Sequence, residues 1–201
     1  MANGRVITGF SKPYIAKYAV NNGTVTYSEG MALARGVQVS LSLETGDSQD
    51  FYADNVLAES AGGVFTGGTA TFTVDGLKDA ARALLMGLPT AESITVGSGS
   101  VSVQVYDDRQ SIPYVGAAFI VRVMENGTTS YIPYFLTKVI FKEDGLEAST
   151  QEENIEFQTS ELEADVLRDD TTNHVWRKIA AEQTTETAAE NVVKAFLGIT
   201  G

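Results

Sequence analysis

Apolar and polar residues alternate with a period of two through most of this chain, and this pattern constrains the fold more than any other feature. The segment Gly36–Glu44 shows it most clearly. Its alternate positions are apolar in one set and polar in the other: Val37, Val39, Leu41 and Leu43 against Gln38, Ser40, Ser42 and Glu44. Successive side chains of a strand point to opposite faces, so the pattern is typical of a strand with one buried face. The same alternation occurs in Tyr14–Val20, Thr69–Asp75, Val101–Tyr106, Val115–Met124 and Tyr134–Glu143.

Short turn sequences separate these stretches. They are Asn21–Asn22–Gly23, Gly97–Ser98–Gly99 and Asn126–Gly127. Asn and Gly adopt the left-handed backbone conformation that tight hairpin turns require. The strands are therefore predicted to pair as antiparallel hairpins, and the fold class is predicted to be mainly β, a sandwich or barrel of antiparallel sheets.

One segment in the first half of the chain has the helical period instead. In Leu77–Met86, apolar residues recur at i, i+3, i+4, i+7 and i+8, which is the spacing of an amphipathic helix. Gly87 and Pro89 follow and are expected to end it. This helix is predicted to lie against the sheets.

A second, short helix is predicted near the C-terminus, over residues 184–198. Thr187 and Glu190 have the spacing of a capping box, in which each side chain satisfies a backbone amide of the first turn. Four apolar residues then share one helical face, and Gly198 is expected to end the helix. Those four residues are Val192, Val193, Phe196 and Leu197.

Length and composition indicate one globular domain spanning residues 1–201. The chain has 201 residues, 43% of them hydrophobic and 20% charged, which is typical of a packed chain. It contains no cysteine, so a disulfide framework, a thiolate metal site and a cysteine nucleophile are excluded. The first residues do not have the pattern of a secretory signal, and no run approaches the roughly 18 apolar residues of a membrane span. We expect a soluble protein made in the cytoplasm, with no membrane partner.

The negative charge is concentrated in one segment. The chain has a net charge of −12, and Glu143–Asp170 contains eleven acidic residues and one basic residue. Residues 143–170 are predicted to form an acidic hairpin or loop. Alternation continues through Ile155, Phe157 and Thr159, but its phase changes from Glu161 onward, which predicts a bulge or tight turn near Ser160. One long hairpin and two short strands remain alternative interpretations.

No pattern of catalytic or ligand-binding residues emerges. The one histidine, His174, lies beside the one tryptophan, Trp176, and is interpreted as a packed or surface residue. The adjacent acidic pairs lack the spacing of a calcium loop: Asp107–Asp108, Glu152–Glu153 and Asp169–Asp170. Gly62–Gly63 and Gly67–Gly68 do not belong to a phosphate-binding motif. We therefore predict no enzyme activity, no cofactor and no metal, and an acidic chain is also expected to repel DNA rather than bind it.

Several stretches resemble the major tail proteins of bacteriophages with long, non-contractile tails, of the phi13 type. The first is Asp54–Glu59, followed by a Gly-rich turn and by Gly67–Leu77, which leads into the first predicted helix. The second is the strand Tyr131–Lys138. The third is His174–Lys178, with the Thr- and Glu-rich lead into the terminal helix. The resemblance covers most of the chain.

The resemblance implies a tail-tube fold, in which two antiparallel sheets pack together beside a helix. It further implies that copies of the chain form hexameric rings, and that the rings stack into the tube through which genomic DNA passes into the host. The expected partners are the chain itself and other tail proteins, such as the tape-measure and tail-terminator proteins. The expected location is the virion tail, assembled in the cytoplasm of the host bacterium.

Polar residues on alternate strand positions are the candidates for the wall of such a channel. They are Gln38, Ser40, Ser42, Glu44, Thr69, Thr71, Thr73, Asp75, Glu156, Glu161, Glu163 and Asp165. A wall of carboxylates and small polar groups would repel phosphate and offer few donors to hold it. An outer, solvated face or a flexible loop is the alternative interpretation of the acids.

A binding module of the β-sandwich type, recognising a carbohydrate or a cell-surface ligand, is the alternative function. Aromatic clusters on exposed loops would favour it, whereas Tyr131 and Tyr134 fall within a predicted strand. A hydrolase is a third and weaker alternative, because no base accompanies a nucleophile.

Overall fold

The computed structural model of the protein describes residues 4–143, 145–146, 150 and 157–199. These residues form mainly strands, all paired antiparallel, with two helices among them. The elements are β1 (Val6–Asn21), β2 (Thr24–Ala32), β3 (Gly36–Thr45), β4 (Gln49–Ala53), β5 (Val56–Ala61), β6 (Phe65–Val74), α1 (Asp79–Met86), β7 (Glu92–Val96), β8 (Gly99–Val103), β9 (Val115–Glu125), β10 (Thr128–Phe141), β11 (Ser160–Leu167), β12 (Arg177–Ile179) and α2 (Glu186–Phe196). The predicted class, a mainly β fold of antiparallel strands with flanking helices, is confirmed.

The main sheet of the described residues follows the order β2-β1-β9-β10-β11-β6-β3. The long strand β10 pairs with β9 along one edge and shares its other edge between two strands. Residues Tyr134–Leu136 of that edge pair with β12, and Lys138–Phe141 pair with β11. The sheet therefore branches at β10, where β11, β6 and β3 turn away to form a second layer.

The second layer folds back until β3 contacts β1. At this contact, Gly36 lies against the ring of Phe10, where an added Cβ would come within 2.3 Å of a ring carbon. The two layers enclose one large apolar cluster. Its largest fully buried members include Ile15, Leu33, Phe72, Leu85, Met86, Leu136, Phe141 and Leu162. The arrangement is sandwich-like, with β10 at the corner between the layers.

Helix α1 contributes Leu85 and Met86 to this core. It begins two residues later than Leu77, the predicted start, and Gly87 ends it in the left-handed conformation with φ 58°. The predicted stop at Gly87 is confirmed.

Helix α2 covers the outer side of β1, β9 and β10. Its buried Ala189, Val193 and Leu197 join a second apolar cluster with residues of those strands: Tyr14, Ala16, Ala118, Ile120 and Phe135. The central strand β9 is consequently buried on both faces.

The predicted capping box at Thr187 is wrong, because the N-cap of α2 is Thr185. Its side-chain oxygen accepts a hydrogen bond of 3.2 Å from the amide of Ala188. Thr187 lies inside the helix, so its hydroxyl is in the wrong place to satisfy the first amides.

Two hairpins stand apart from the main sheet, β4–β5 and β7–β8. The predicted turns are confirmed: Asn22 and Gly23 join β1 to β2, and Asn126 and Gly127 join β9 to β10, all four with positive φ. Gly97 has φ 62° in the turn between β7 and β8.

Several predicted boundaries differ from the structure. The strand predicted over Val101–Tyr106 ends at Val103, and the one predicted to end at Glu143 ends at Phe141. Residues 157–159 form no strand, and β11 begins at Ser160, where the change of phase was noted. The acids of β11 therefore lie on a single strand of the main sheet, while Ile155 and Glu156 lie outside the described residues.

Candidate functional site

Three neighbouring strands, β3, β6 and β11, bring most of the predicted channel residues onto one surface. Residues directly opposite each other across an antiparallel pair point to the same face. The register forms three rows across the strands, Gln38–Thr73–Glu161, Ser40–Thr71–Glu163 and Ser42–Thr69–Asp165. Glu44 lies opposite Gly67 at the end of the same surface. We call this surface the polar face.

The opposite side of the same strands belongs to the core. Ala70, Phe72 and Val74 of β6 are buried, as are Leu162, Ala164 and Val166 of β11. In all three strands, polar residues alternate with the buried ones. Burial of the apolar side chains therefore points the polar side chains outward, to the polar face. Val37 is an exception to its predicted core role: it is 55% exposed, next to a register shift between Gly36 and Gln38.

A lysine that sequence analysis did not single out lies at the margin of the polar face. The ammonium group of Lys142, just after β10, contacts the Glu163 carboxylate and lies 3.6 Å from Oδ1 of Asp165. The hydrogen bond to Glu163 raises the pKa of Lys142 above its ordinary value. Glu44 and Glu161 form no ion pair within the part of the chain that the structure describes, so carboxylate charge dominates this face.

Another predicted residue, Asp75, lies apart from the rows. Asp75 follows the end of β6, and its carboxylate accepts a 2.9 Å hydrogen bond from the Arg35 amide and another from the Arg35 guanidinium. These bonds lower the pKa of Asp75. Its carboxylate therefore joins the start of β3 to the end of β6. Glu156 lies outside the described residues.

The pair Asp169–Asp170 has two separate structural roles. Asp169 is buried, and its carboxylate accepts hydrogen bonds from the amides of Thr171 and Val175 at 3.2 and 2.8 Å, which closes the loop after β11. Asp170 accepts hydrogen bonds from Lys138 at 2.7 Å and from the Tyr18 hydroxyl at 2.8 Å. The Lys138 contact is the main cause of the lowered pKa of Asp170. Neither arrangement resembles a shared substrate site.

His174 is exposed and has φ 49°, with Nδ1 3.3 Å from the Asp169 carbonyl oxygen. Its surface position agrees with the interpretation made from sequence. Across the described ranges, no group of three His, Cys, Asp or Glu residues could hold a metal ion. No helix in these ranges is long and apolar enough to cross a membrane.

Compared with models of known protein families and with curated proteins, the chain has no match in either.

Proposed function

We propose that this protein is the tube-forming subunit of a long, non-contractile phage tail, and that its polar face lines the channel for DNA. The observation that carries the proposal is the polar face itself. It extends across three strands, bears three acidic residues in one column on β11, and is uncovered by any other described element. In this proposal six copies form a ring, and the rings stack.

The chemistry of the polar face supports passage rather than binding of DNA. Affinity for DNA comes mainly from lysine and arginine neutralising phosphates. Here carboxylates line the surface, and Lys142, which contacts Glu163 and Asp165, is already engaged in ion pairs with them. A channel of this composition would repel phosphate and let the duplex move without sticking.

The edges of the sheet support self-assembly. Strands β3 and β2 stand at the two ends of the strand order and are ten and nine residues long. An edge of that length has unpaired backbone groups that another chain can pair with. A repeated contact between two different surfaces closes into a ring when the rotation fits.

Negative-stain electron microscopy of the purified chain tests the proposal. We expect rings or hollow tubes with six-fold symmetry at high protein concentration and moderate salt. Tape-measure and tail-terminator proteins would then set tube length in the virion, so length should be variable with this chain alone. A strictly monomeric protein under the same conditions would contradict the proposal.

A carbohydrate- or cell-surface-binding module remains the second candidate, and one observation favours it. Phe51 and Tyr52 of the β4–β5 hairpin are each 63% exposed, and aromatic rings on a projecting hairpin are typical of ligand-binding surfaces. A glycan array separates the two candidates: specific binding by a monomer favours the module, and its absence together with tubes favours the subunit.

A further inference from the structure

The β4–β5 hairpin, called the arm from here on, has a composition unlike the rest of the chain. Within the described part of the chain, its strands pair only with each other, apart from the main sheet. Glu44–Val64, which contains the arm, has five acidic residues and no basic residue. Large apolar side chains are nevertheless exposed along it: Phe51, Tyr52 and Val56 at 63% and Leu57 at 51%.

These apolar side chains lie on both faces of the arm. Phe51 and Tyr52 are adjacent on one strand, and Val56 and Leu57 are adjacent on the other, so each pair points to opposite faces. An isolated two-stranded hairpin is marginally stable in water. An arm that is apolar on both faces therefore needs a surface to pack against.

A cleft lined by aromatic rings and arginines lies at the base of the arm. It has a volume of about 510 Å³ and is lined by Phe65, Trp176, Arg168, His174 and Arg177, among others. The rings of Phe65 and Trp176 stack with their centroids 4.5 Å apart. We call it the arginine cleft.

The arginines of this cleft have no acidic partner among residues 4–143, 145–146, 150 and 157–199. Arg168 donates a hydrogen bond to the Phe65 carbonyl oxygen, whereas the Arg177 side chain forms no hydrogen bond or ion pair with another described residue. Most other cations of the described chain are paired with carboxylates, including Arg5, Lys12, Lys17 and Arg35. Two arginines that lack a carboxylate partner among the described residues, beside an aromatic stack, form a surface suited to aromatic and carboxylate groups together.

Among the described residues, none of β4 or β5 lines the cleft of the same chain. Thr45 lines the cleft, and Tyr52 lies seven residues further along the chain. At about 3.3 Å per residue, this segment spans at most about 23 Å. The arm of a second molecule is therefore the candidate occupant.

We propose that the arm of one copy docks into the arginine cleft of a second copy. Acidic residues flank the aromatic pair of the arm, in the order Asp50–Phe51–Tyr52–Ala53–Asp54. The aromatic rings would pack near Trp176 while the carboxylates pair with Arg168 and Arg177. Each copy has one arm and one cleft, so the contact is head-to-tail and continues around a ring. The inference rests on the proposed self-assembly and names the surfaces that make it.

Cross-linking tests this contact directly, because the chain has no cysteine of its own. Leu57→Cys on the arm and Asn173→Cys at the cleft are combined in one chain and treated with a bismaleimide. We expect a ladder of covalent dimers, trimers and larger species. Each single-cysteine variant alone should give no cross-link, and a mixture of the two should give dimers only.

Four results would overturn the contact. A cross-link within one chain would place the arm on its own cleft. Dimers from Leu57→Cys alone would mean that arms meet each other. Rings seen by microscopy without a ladder would reject the arm contact and keep the tube, whereas a ladder without rings would keep the contact and reject the tube. Neither rings nor ladder would reject both.

A charge reversal in the cleft supplies a second test. Arg177→Glu removes no described contact within the chain, so the domain should fold with an unchanged melting temperature. We expect the ladder yield to fall about tenfold or more, since close charge pairs across interfaces contribute on that scale. Arg122→Glu, at an exposed position on β9, is the matched control and should leave the yield unchanged. Equal yields from both variants would overturn the role of the cleft.

Discussion

At the scale of single residues, Glu190 holds α2 against the sheet. Its carboxylate accepts a 2.5 Å hydrogen bond from the Tyr14 hydroxyl and lies 3.2 Å from the ammonium of Lys12 and 2.9 Å from that of Lys194. The hydrogen bond from Tyr14 is the main cause that lowers the pKa of Glu190 from 4.5 to about 2. One ionised carboxylate therefore joins the helix to β1.

This contact makes stability depend on acid pH. The pKa of Glu190 is lower in the folded protein, so its stabilisation is complete above pH 4.5 and is lost as the pH falls towards 2. We expect Glu190→Gln to lower the free energy of unfolding at pH 7 by about 2 kcal/mol. Urea unfolding from pH 7 to 2 measures this. Between pH 7 and pH 2, the free energy of unfolding should fall less in the variant than in the original protein. An equal fall in both proteins would contradict the role of Glu190.

Thr185 gives a matched pair of tests at the start of α2. Thr185→Ala removes the side-chain oxygen that caps the Ala188 amide and should cost about 1 kcal/mol. Thr187→Ala, inside the helix, should change the free energy of unfolding by less than about 0.5 kcal/mol. Thermal or urea unfolding compares them. A larger loss from Thr187→Ala would restore the capping box first predicted.

At the scale of elements, prediction succeeded where one face of a strand is buried and the other is not. Strands β3 and β6 have this pattern, and both were predicted. The arm was missed because Phe51 and Tyr52 are adjacent, as are Val56 and Leu57, so it has no alternation. The arm lacks alternation because neither of its faces packs on the core.

The composition of the polar face was predicted, but its assembly from three strands was not. Strand β11 pairs with β6 from about 90 residues away in sequence, and such pairings depend on the whole fold rather than on local pattern. Lys142 was missed for the same reason. Its contact with Glu163 exists only because β10 and β11 are neighbours.

The base of the arm depends on the absence of a side chain at Gly63. An added Cβ there would lie 1.7 Å from the Gly46 carbonyl oxygen, whereas at Gly62 no atom lies within 4 Å. We expect Gly63→Ala to separate the chain segments at the base and to speed amide exchange of Gly46, which donates to the Val64 carbonyl oxygen at 2.9 Å. Hydrogen exchange measures this. Gly62→Ala is the control, and equal rates in both variants would contradict the prediction.

At the scale of the whole molecule, the acids of β11 would face the DNA in the proposed tube. Replacing Glu161, Glu163 and Asp165 together with lysine should leave tubes intact, because these side chains point away from the core. Each of the six copies in a ring would then present three lysines, and these would attract phosphate. We expect particles with this variant to lose infectivity through slowed DNA passage.

A second variant separates charge from shape. Glu161→Gln, Glu163→Gln and Asp165→Asn keep the size of the side chains and remove the charge, so infectivity should fall less than in the lysine variant. Retention of DNA by purified tubes, measured at increasing salt, gives an independent readout. Unchanged infectivity of the lysine variant would remove these three residues from the channel wall.

The burial of β9 on both faces imposes an order of events on a chain that is still being synthesised. One face needs β6 and β11, and the other needs α2, which starts 61 residues after β9 ends. A ribosome-bound chain that has not yet added α2 must leave Ala118 and Ile120 exposed to water. The second apolar cluster therefore forms late, and only a chain that already includes α2 buries both faces of β9.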